Sequence, residues 1–273
     1  MALGRSLLLL KPRMRHIHAH LVTMPQSGTH WLCYMLALGL SRTFDVPAPA
    51  HIGDRRFVLR PQDRVIHPEL PRLVHSHNIP HKLVHSELVL DWLRFPRYVL
   101  LLRDLRETIV SQYEKKRQLP GFDITFSDYL RERMPLGHPF RITVSRRFAF
   151  LNAWTRDIKR LGHGRLLLLR YEELRQSPRQ TLQRLWQFLD FPDLEAAAFE
   201  QIVAEASKDR MALHERPDAV ARVVRQTSRN AFDWYTPADR EYLTARCQTG
   251  LTNWLGYNYA DWRLPPTAER RVA

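Results

Sequence analysis

Apolar residues fall along this chain in short runs separated by longer amphipathic stretches. Residues 17–24 (IHAHLVTM) lean toward strand and end at Pro25. The turn Gln26-Ser27-Gly28-Thr29 follows, and then residues 31–40, whose near-continuous apolarity predicts a buried helix. Residues 72–75 predict a second strand. Residues 98–102 (YVLLL) read as a central parallel strand, because a strand covered on both faces has no polar side to alternate. The stretch from Leu105 to Lys116 has helical spacing, and residues 165–169 (RLLLL) predict a further buried strand. Ser177-Pro178-Arg179-Gln180 fits a capping box with proline at the first helical position, ahead of an apolar stripe of Leu182, Leu185, Trp186 and Leu189. Thr236-Pro237-Ala238-Asp239 repeats the signature before a helix expected to reach about Trp254, with Gly256 as its cap. Residues 44–70, rich in Pro, Arg and Asp, predict loop; residues 207–235, polar and basic, predict a lid or a long surface loop. Strands alternating with helices imply an α/β fold, a mostly parallel sheet covered on both faces. No composition break divides the chain, so a single domain over residues 1–273 is expected.

Composition narrows the classes. The chain has 44% hydrophobic positions over 273 residues, enough for a large core. Leu7 to Leu10 and residues 99–102 are its longest apolar runs, far short of the roughly 20 residues of a membrane span. Arg5 and the leucines after it resemble the start of a signal peptide, but Lys11-Pro12-Arg13 ends the run too soon. Two cysteines, Cys33 and Cys247, make neither a disulfide framework nor a zinc site. A soluble cytoplasmic protein without a metal is expected. The net charge of +14 comes mainly from 36 arginines against 6 lysines, and arginine suits phosphate and sulfate because its planar fork donates paired hydrogen bonds. The arginines are spread along the chain, so a merely solvated basic surface explains them equally well. No helix-turn-helix, RNA-recognition or OB pattern accompanies the charge, and no nucleic-acid partner is expected.

The loop after the first strand is more informative. An anion-binding loop needs small residues for close approach, a hydroxyl donor and a helix starting at once, and Met24-Pro25-Gln26-Ser27-Gly28-Thr29-His30-Trp31 has all three. It lacks the Gly-Lys-Ser/Thr ending of a nucleoside-triphosphatase. Residues 22–32 (VTMPQSGTHWL) resemble the 5'-phosphosulfate loop of the sulfotransferases that use 3'-phosphoadenylyl sulfate (PAPS), typically Pro-Lys-Ser-Gly-Thr-Thr-Trp after an aromatic. Residues 98–113 resemble that family's 3'-phosphate segment, with Arg103 at the end of a strand and Ser111 eight residues on. Residues 71–77 (PRLVHSH) resemble the stretch ending in the family's catalytic histidine, and Arg170-Tyr171-Glu172-Glu173-Leu174 its later Tyr-Glu-Asp/Glu turn. The four segments come in the family's order over a core of about residues 17–191.

The resemblance implies a P-loop-like three-layer α/β/α sandwich around a short parallel sheet. It implies PAPS as sulfuryl donor, adenosine 3',5'-bisphosphate (PAP) as product, and a small-molecule hydroxyl acceptor, with a homo-oligomer left open. By position, Gln26, Ser27, Gly28, Thr29 and His30 would hold the 5'-phosphosulfate. Trp31 would offer its ring to the adenine or simply anchor the first helix. Arg103 and Ser111 would grip the 3'-phosphate, and Tyr171 would reach the nucleotide or pack. His77 takes the position of the general base, with His75 as runner-up and His81 and His85 as bystanders.

Two positions depart from the family's pattern. The loop lysine is Gln26 and the lysine two residues before the base is His75, so charge that would steady the leaving phosphate is missing. Protonated His30 or His75, or an arginine from the C-terminal third, is expected to supply it, in which case activity falls as pH rises. A catalytically impaired PAPS-binding homologue is the alternative. The family's C-terminal Arg-Lys-Gly run is absent, and Arg225 and Arg229 are its candidate substitutes, with nothing to choose between them. Phe57, Phe122 and Phe126 hint at an apolar alcohol or phenol as acceptor.

Overall fold

The computed structural model describes residues 17–78, 96–134, 144–215 and 229–263. Five strands form one sheet: β1 (Ala19–Thr23), β2 (Val58–Leu59), β3 (Leu73–Ser76), β4 (Arg97–Leu102) and β5 (Leu166–Arg170). Their order is β2-β3-β1-β4-β5 and every pairing is parallel. Chain order reverses on either side of β1, whose neighbours are β3 and β4. The C-terminal end of β1 is therefore the switch point at which open parallel sheets leave a crevice.

Alternation along each strand sends side chains to two separate cores. Ala19, Leu21, Leu73, Val99, Leu101 and Leu169 face one side, where α1 (Thr29–Thr43), α6 (Pro178–Phe188) and α7 (Ala196–Glu205) cover them. Val22, Tyr98, Leu100, Leu102 and Leu166 face the other, under α2 (Leu105–Lys116), α3 (Phe126–Leu130), α4 (Val144–Arg165) and α9 (Pro237–Gly250). Two short helices, α5 (Tyr171–Gln176) and α8 (Lys208–Leu213), complete the set. This is the three-layer α/β/α sandwich expected. No helix among the described residues is long and apolar enough to cross a membrane.

Several local expectations are corrected. Residues 44–70 are not all loop, since β2 pairs with β3 through Val58 and Leu59. Ser177 precedes Pro178 but makes no side-chain cap, because it also closes α5, its N–H donating to the Glu173 carbonyl at 2.9 Å. At Thr236 the full capping box is present. The helix it starts ends at Gly250 rather than Trp254, and Gly256 is not its cap. Gly256 instead has φ +84 and lies where a Cβ would come within 2.6 Å of the Arg170 guanidinium. Residues 208–213, inside the expected lid or loop, are helical. Gly162, with φ 63, breaks α4.

Candidate functional site

The site residues follow directly from the parallel register. Val22 pairs with Ser76, Thr23 with Leu101, and Leu102 with Arg170, so these strands end together at one edge of the sheet. The next residues along each chain segment are the 24–28 loop, His77, Arg103 and Tyr171. The loop is pinned at its start by the Met24 N–H, which donates to the Leu101 carbonyl at 3.0 Å, and tightened by the Ser27 N–H on the Met24 carbonyl at 3.1 Å. Gln26 and Gly28 both take left-handed backbone, φ 68 and φ 89. At Gly28 only glycine fits, since a Cβ would stand 2.5 Å from the Tyr171 ring. The first N–H groups of α1 then open toward the crevice with no intrahelical partners. The Ser27 hydroxyl and the Trp31 indole N–H are buried without hydrogen-bond partners among the described residues.

Gln26, Arg103, Ser111 and Tyr171 are brought together. The Arg103 guanidinium lies 4.2 Å from the centre of the Tyr171 ring, and its Nη1 donates to the Gln26 carbonyl at 3.1 Å. Ser111 donates from Oγ to Gln26 Oε1 at 3.2 Å. Trp31 meets the edge of Tyr171, ring centres 5.9 Å apart. Sequence reading missed Glu107, one helical turn beyond Arg103, which accepts from Arg103 Nε and Nη2 at 2.9 and 2.6 Å. Burial opposes the charge on Arg103, and Glu107, Tyr171 and Glu172 together outweigh it, raising its pKa. Sequence reading also missed Glu172. It accepts from the Asp104 N–H at 2.9 Å and the Tyr257 hydroxyl at 3.0 Å, fixing α5, and with it Tyr171, against the end of β4.

Three histidines converge on the end of β1. His77 Nδ1 is 2.7 Å from the Thr23 carbonyl, which can only accept, so Nδ1 carries the proton and donates. In the neutral ring Nε2, on the opposite side, then keeps its lone pair. The buried Thr23 hydroxyl lies 2.7 Å from Thr29 Oγ1, 3.0 Å from His75 Nε2 and 3.2 Å from His77 Nδ1. It links the loop to both imidazoles, which meet edge-on at 4.8 Å. Burial pushes the His75 pKa down to about 3, with His77, His30 and Arg60 adding to it. His77 is lowered by burial, opposed by its bond to Thr23 and reinforced by Arg146 and Arg60. His30, though exposed, is flanked by protein and lowered by that enclosure and by Lys115, His77 and Arg60. Burial and the neighbouring cations thus weigh against a proton on His30 or His75 when the site holds no anion.

A cavity of about 740 Å³ joins these groups, its wall including Gln26, Gly28, Thr29, His30, Trp31, His75, His77, Arg103, Ser111 and Tyr171. Among the described residues, eight arginines and lysines line it against one carboxylate, Asp54. Phe57 and Phe126 are buried in the two cores and Phe122 packs on the second, and none of the three lines the cavity. Arg229 sits 4.1 Å over the Trp234 ring and does not line the cavity. Arg225, His81 and His85 lie outside the described residues. Among the described residues no group of His, Cys, Asp and Glu is arranged to hold a metal.

The model of a family described as "Sulfotransferase domain" matches residues 16–218. Mouse sulfotransferase SULT7A1 complexed with PAP superposes with a TM-score of 0.57 at 15% identity, over 86% of this chain and 85% of that one. Retinol dehydratase in a complex with retinol and PAP gives 0.58 at 14% identity, over 96% of this chain and 88% of that one. Its complex with androsterone and inactive cofactor PAP gives 0.58 at 14%, over 86% and 80%. At such identities the likeness is one of fold. No curated protein sequence matches the chain.

Proposed function

This chain belongs to the sulfotransferase domain family, and on that premise we propose that it moves a sulfuryl group from PAPS to a hydroxyl of a small molecule. The observation that carries the reading is the junction of the 24–29 loop with His77, where one residue, Thr23, binds both the loop hydroxyl and the imidazole. PAPS, as donor, supplies a sulfuryl group on a bisphosphate leaving group. Loop N–H groups and the Ser27 and Thr29 hydroxyls would hold the phosphosulfate; Arg103 and Ser111 would hold the 3'-phosphate, with Glu107 giving up part of its hold on Arg103. Trp31 and Tyr171 would flank the base. The acceptor O–S bond forms as the S–O bond to the leaving phosphate breaks, and the bisphosphate takes the electron pair. His77 Nε2 receives the hydroxyl proton, a role worth typically 10²- to 10⁴-fold in rate. Sulfuryl transfer otherwise depends on in-line positioning and on charge stabilisation at the leaving oxygen.

The test is a thermal-shift titration with PAP, with AMP and ATP as controls. At 100 times its Kd, PAP should stabilise the fold by about 2.7 kcal/mol, and Arg103→Ala should abolish the shift. An equal shift with any polyanion would refute a specific nucleotide site. A second reading, a binding-competent but catalytically impaired homologue, is favoured by one observation: the leaving-group position of the loop carries an uncharged Gln26. Gln26→Lys separates the two. A gain of ~10²- to 10³-fold in rate identifies an impaired site, and no gain identifies a site whose charge is supplied elsewhere.

A further inference from the structure

One hydroxyl proton decides how the end of β1 meets an anion. Val22 pairs with Ser76, so in the same register Thr23 stands beside His77 and diagonal to His75. The period of two along each strand puts all three side chains on one face of the sheet. Thr23 is fully buried, and its Oγ1 has three polar neighbours: Thr29 Oγ1 at 2.7 Å, His75 Nε2 at 3.0 Å and His77 Nδ1 at 3.2 Å. A hydroxyl offers one proton and two lone pairs. His77 cannot take that proton, because its Nδ1 already carries one, held by the Thr23 carbonyl at 2.7 Å. The Thr23 proton therefore goes either to His75 or to Thr29.

The two choices differ at the cavity, whose wall includes Thr29, His75 and His77. If Thr23 donates to His75, its oxygen accepts from Thr29, and the Thr29 proton is spent inside the protein. Thr29 then turns only lone pairs toward the crevice, which repel an anion. If His75 donates from Nε2 instead, Thr23 donates to Thr29, and Thr29 keeps its proton for the cavity. Among the described residues the His75 ring makes no other hydrogen bond, so its contact with Thr23 sets its tautomer.

We propose that, with the donor bound, His75 heads a chain of hydrogen bonds: His75 Nε2–H to Thr23 Oγ1, Thr23 O–H to Thr29 Oγ1, and Thr29 O–H to an oxygen of the 5'-phosphosulfate. This rests on the reading of the site as a PAPS-dependent sulfotransferase. His75 is then a positioning residue that acts through Thr23 rather than a spare base. No proton changes atoms along the two hydroxyls, which only rotate, and the same direction holds whether the His75 ring is neutral or charged. Each donor polarises the next, and an anion at the end favours this direction over the reverse. His77 Nε2 stays outside the chain, free to receive the acceptor proton.

Heteronuclear NMR of the full chain, labelled in its histidine nitrogens, reads which ring atom carries a proton, with the His75 signals assigned by their loss in His75→Gln. In protein saturated with PAP, whose 5'-phosphate would end the chain, His75 Nε2 should be protonated. A bare Nε2 with PAP bound would overturn the proposal and leave the donor reading standing. Failure of PAP to bind would overturn both. Calorimetric titration gives a second measure, with adenosine 3'-monophosphate, which lacks the 5'-phosphate, as the comparison. His75→Leu and Thr23→Val should each weaken PAP by roughly 3- to 10-fold and leave the monophosphate unchanged. The double variant should lose no more than the worse of the two, because both break one chain. His75→Gln, whose amide N–H can donate from the place of Nε2, should recover most of the loss. Losses that fall equally on both nucleotides, or that add in the double variant, would mean that the two residues act separately and would overturn the chain.

Discussion

The Thr23 carbonyl holds the His77 proton at Nδ1, away from the position where an acceptor hydroxyl would approach Nε2. Because burial lowers the His77 pKa from its ordinary 6.5, the proposed base would already be neutral at pH 7. The kcat/KM profile should therefore rise from acid, reach half its limit below pH 6.5 and stay level to pH 8. His77→Ala should lose that limb along with ~10²- to 10⁴-fold of rate. A profile that instead falls between pH 5 and 7 would mean that a protonated histidine is needed. Motif position alone pointed to His77 among 13 histidines. The tautomer was not legible, because it depends on a carbonyl 54 residues away in sequence. Glu107 was equally hidden: a glutamate one turn after an arginine reads as a surface pair, and only the depth of Arg103 gives it weight.

At the scale of elements, α2 positions both Ser111 and Lys115, and its first turn is locked to the C-terminal segment. Asp104 caps the helix by accepting from the Arg106 N–H at 2.8 Å, and its carboxylate also takes the Arg106 guanidinium at 2.6 Å. That guanidinium lies 4.5 Å from the centre of the Phe232 ring and 5.0 Å from that of Trp262, and it donates to the Asp261 carbonyl at 2.5 Å. The Tyr235 hydroxyl donates to the Arg106 carbonyl at 2.9 Å. Removing one partner of a buried pair costs about 3–5 kcal/mol, so Arg106→Met should lower Tm by roughly 10 °C, read by calorimetry. A drop of under 3 °C would mean that this contact is not what docks the segment. Arg106 carried no signal in the sequence, since its rings come from residues more than 120 positions away.

For the whole molecule, buried neutral histidines make the fold acid-sensitive. His20, stacked on Tyr98, has its pKa pushed down to about 4, first by burial and then by Arg72, and His75 is lowered to about 3. Both native values lie below the unfolded value near 6.5, so between them the unfolded chain binds more protons. The stability these groups give is full above pH 6.5 and is lost as pH falls toward 4 and below. Tm should be flat from pH 7 to 8 and decline between pH 6.5 and 4, with a smaller decline in His20→Gln. A Tm that stays level to pH 4 would show that neither group is held neutral.

Short patterns determined what short-range physics controls: the buried strands, the left-handed glycine turn before α1, the proline-led helix starts, and the order of loop, base, Arg103 and Ser111. From these the parallel α/β sandwich was readable. The tertiary structure alone decided the rest, because charge and burial at a site are sums over distant segments. Parallel register gathered four strand ends at one edge, and packing stripped water from His75 and lowered its pKa. The same packing drew Phe57 and Phe126 into the cores and set Arg60, Lys115 and Arg146 along the cavity wall, which no spacing along the chain could show.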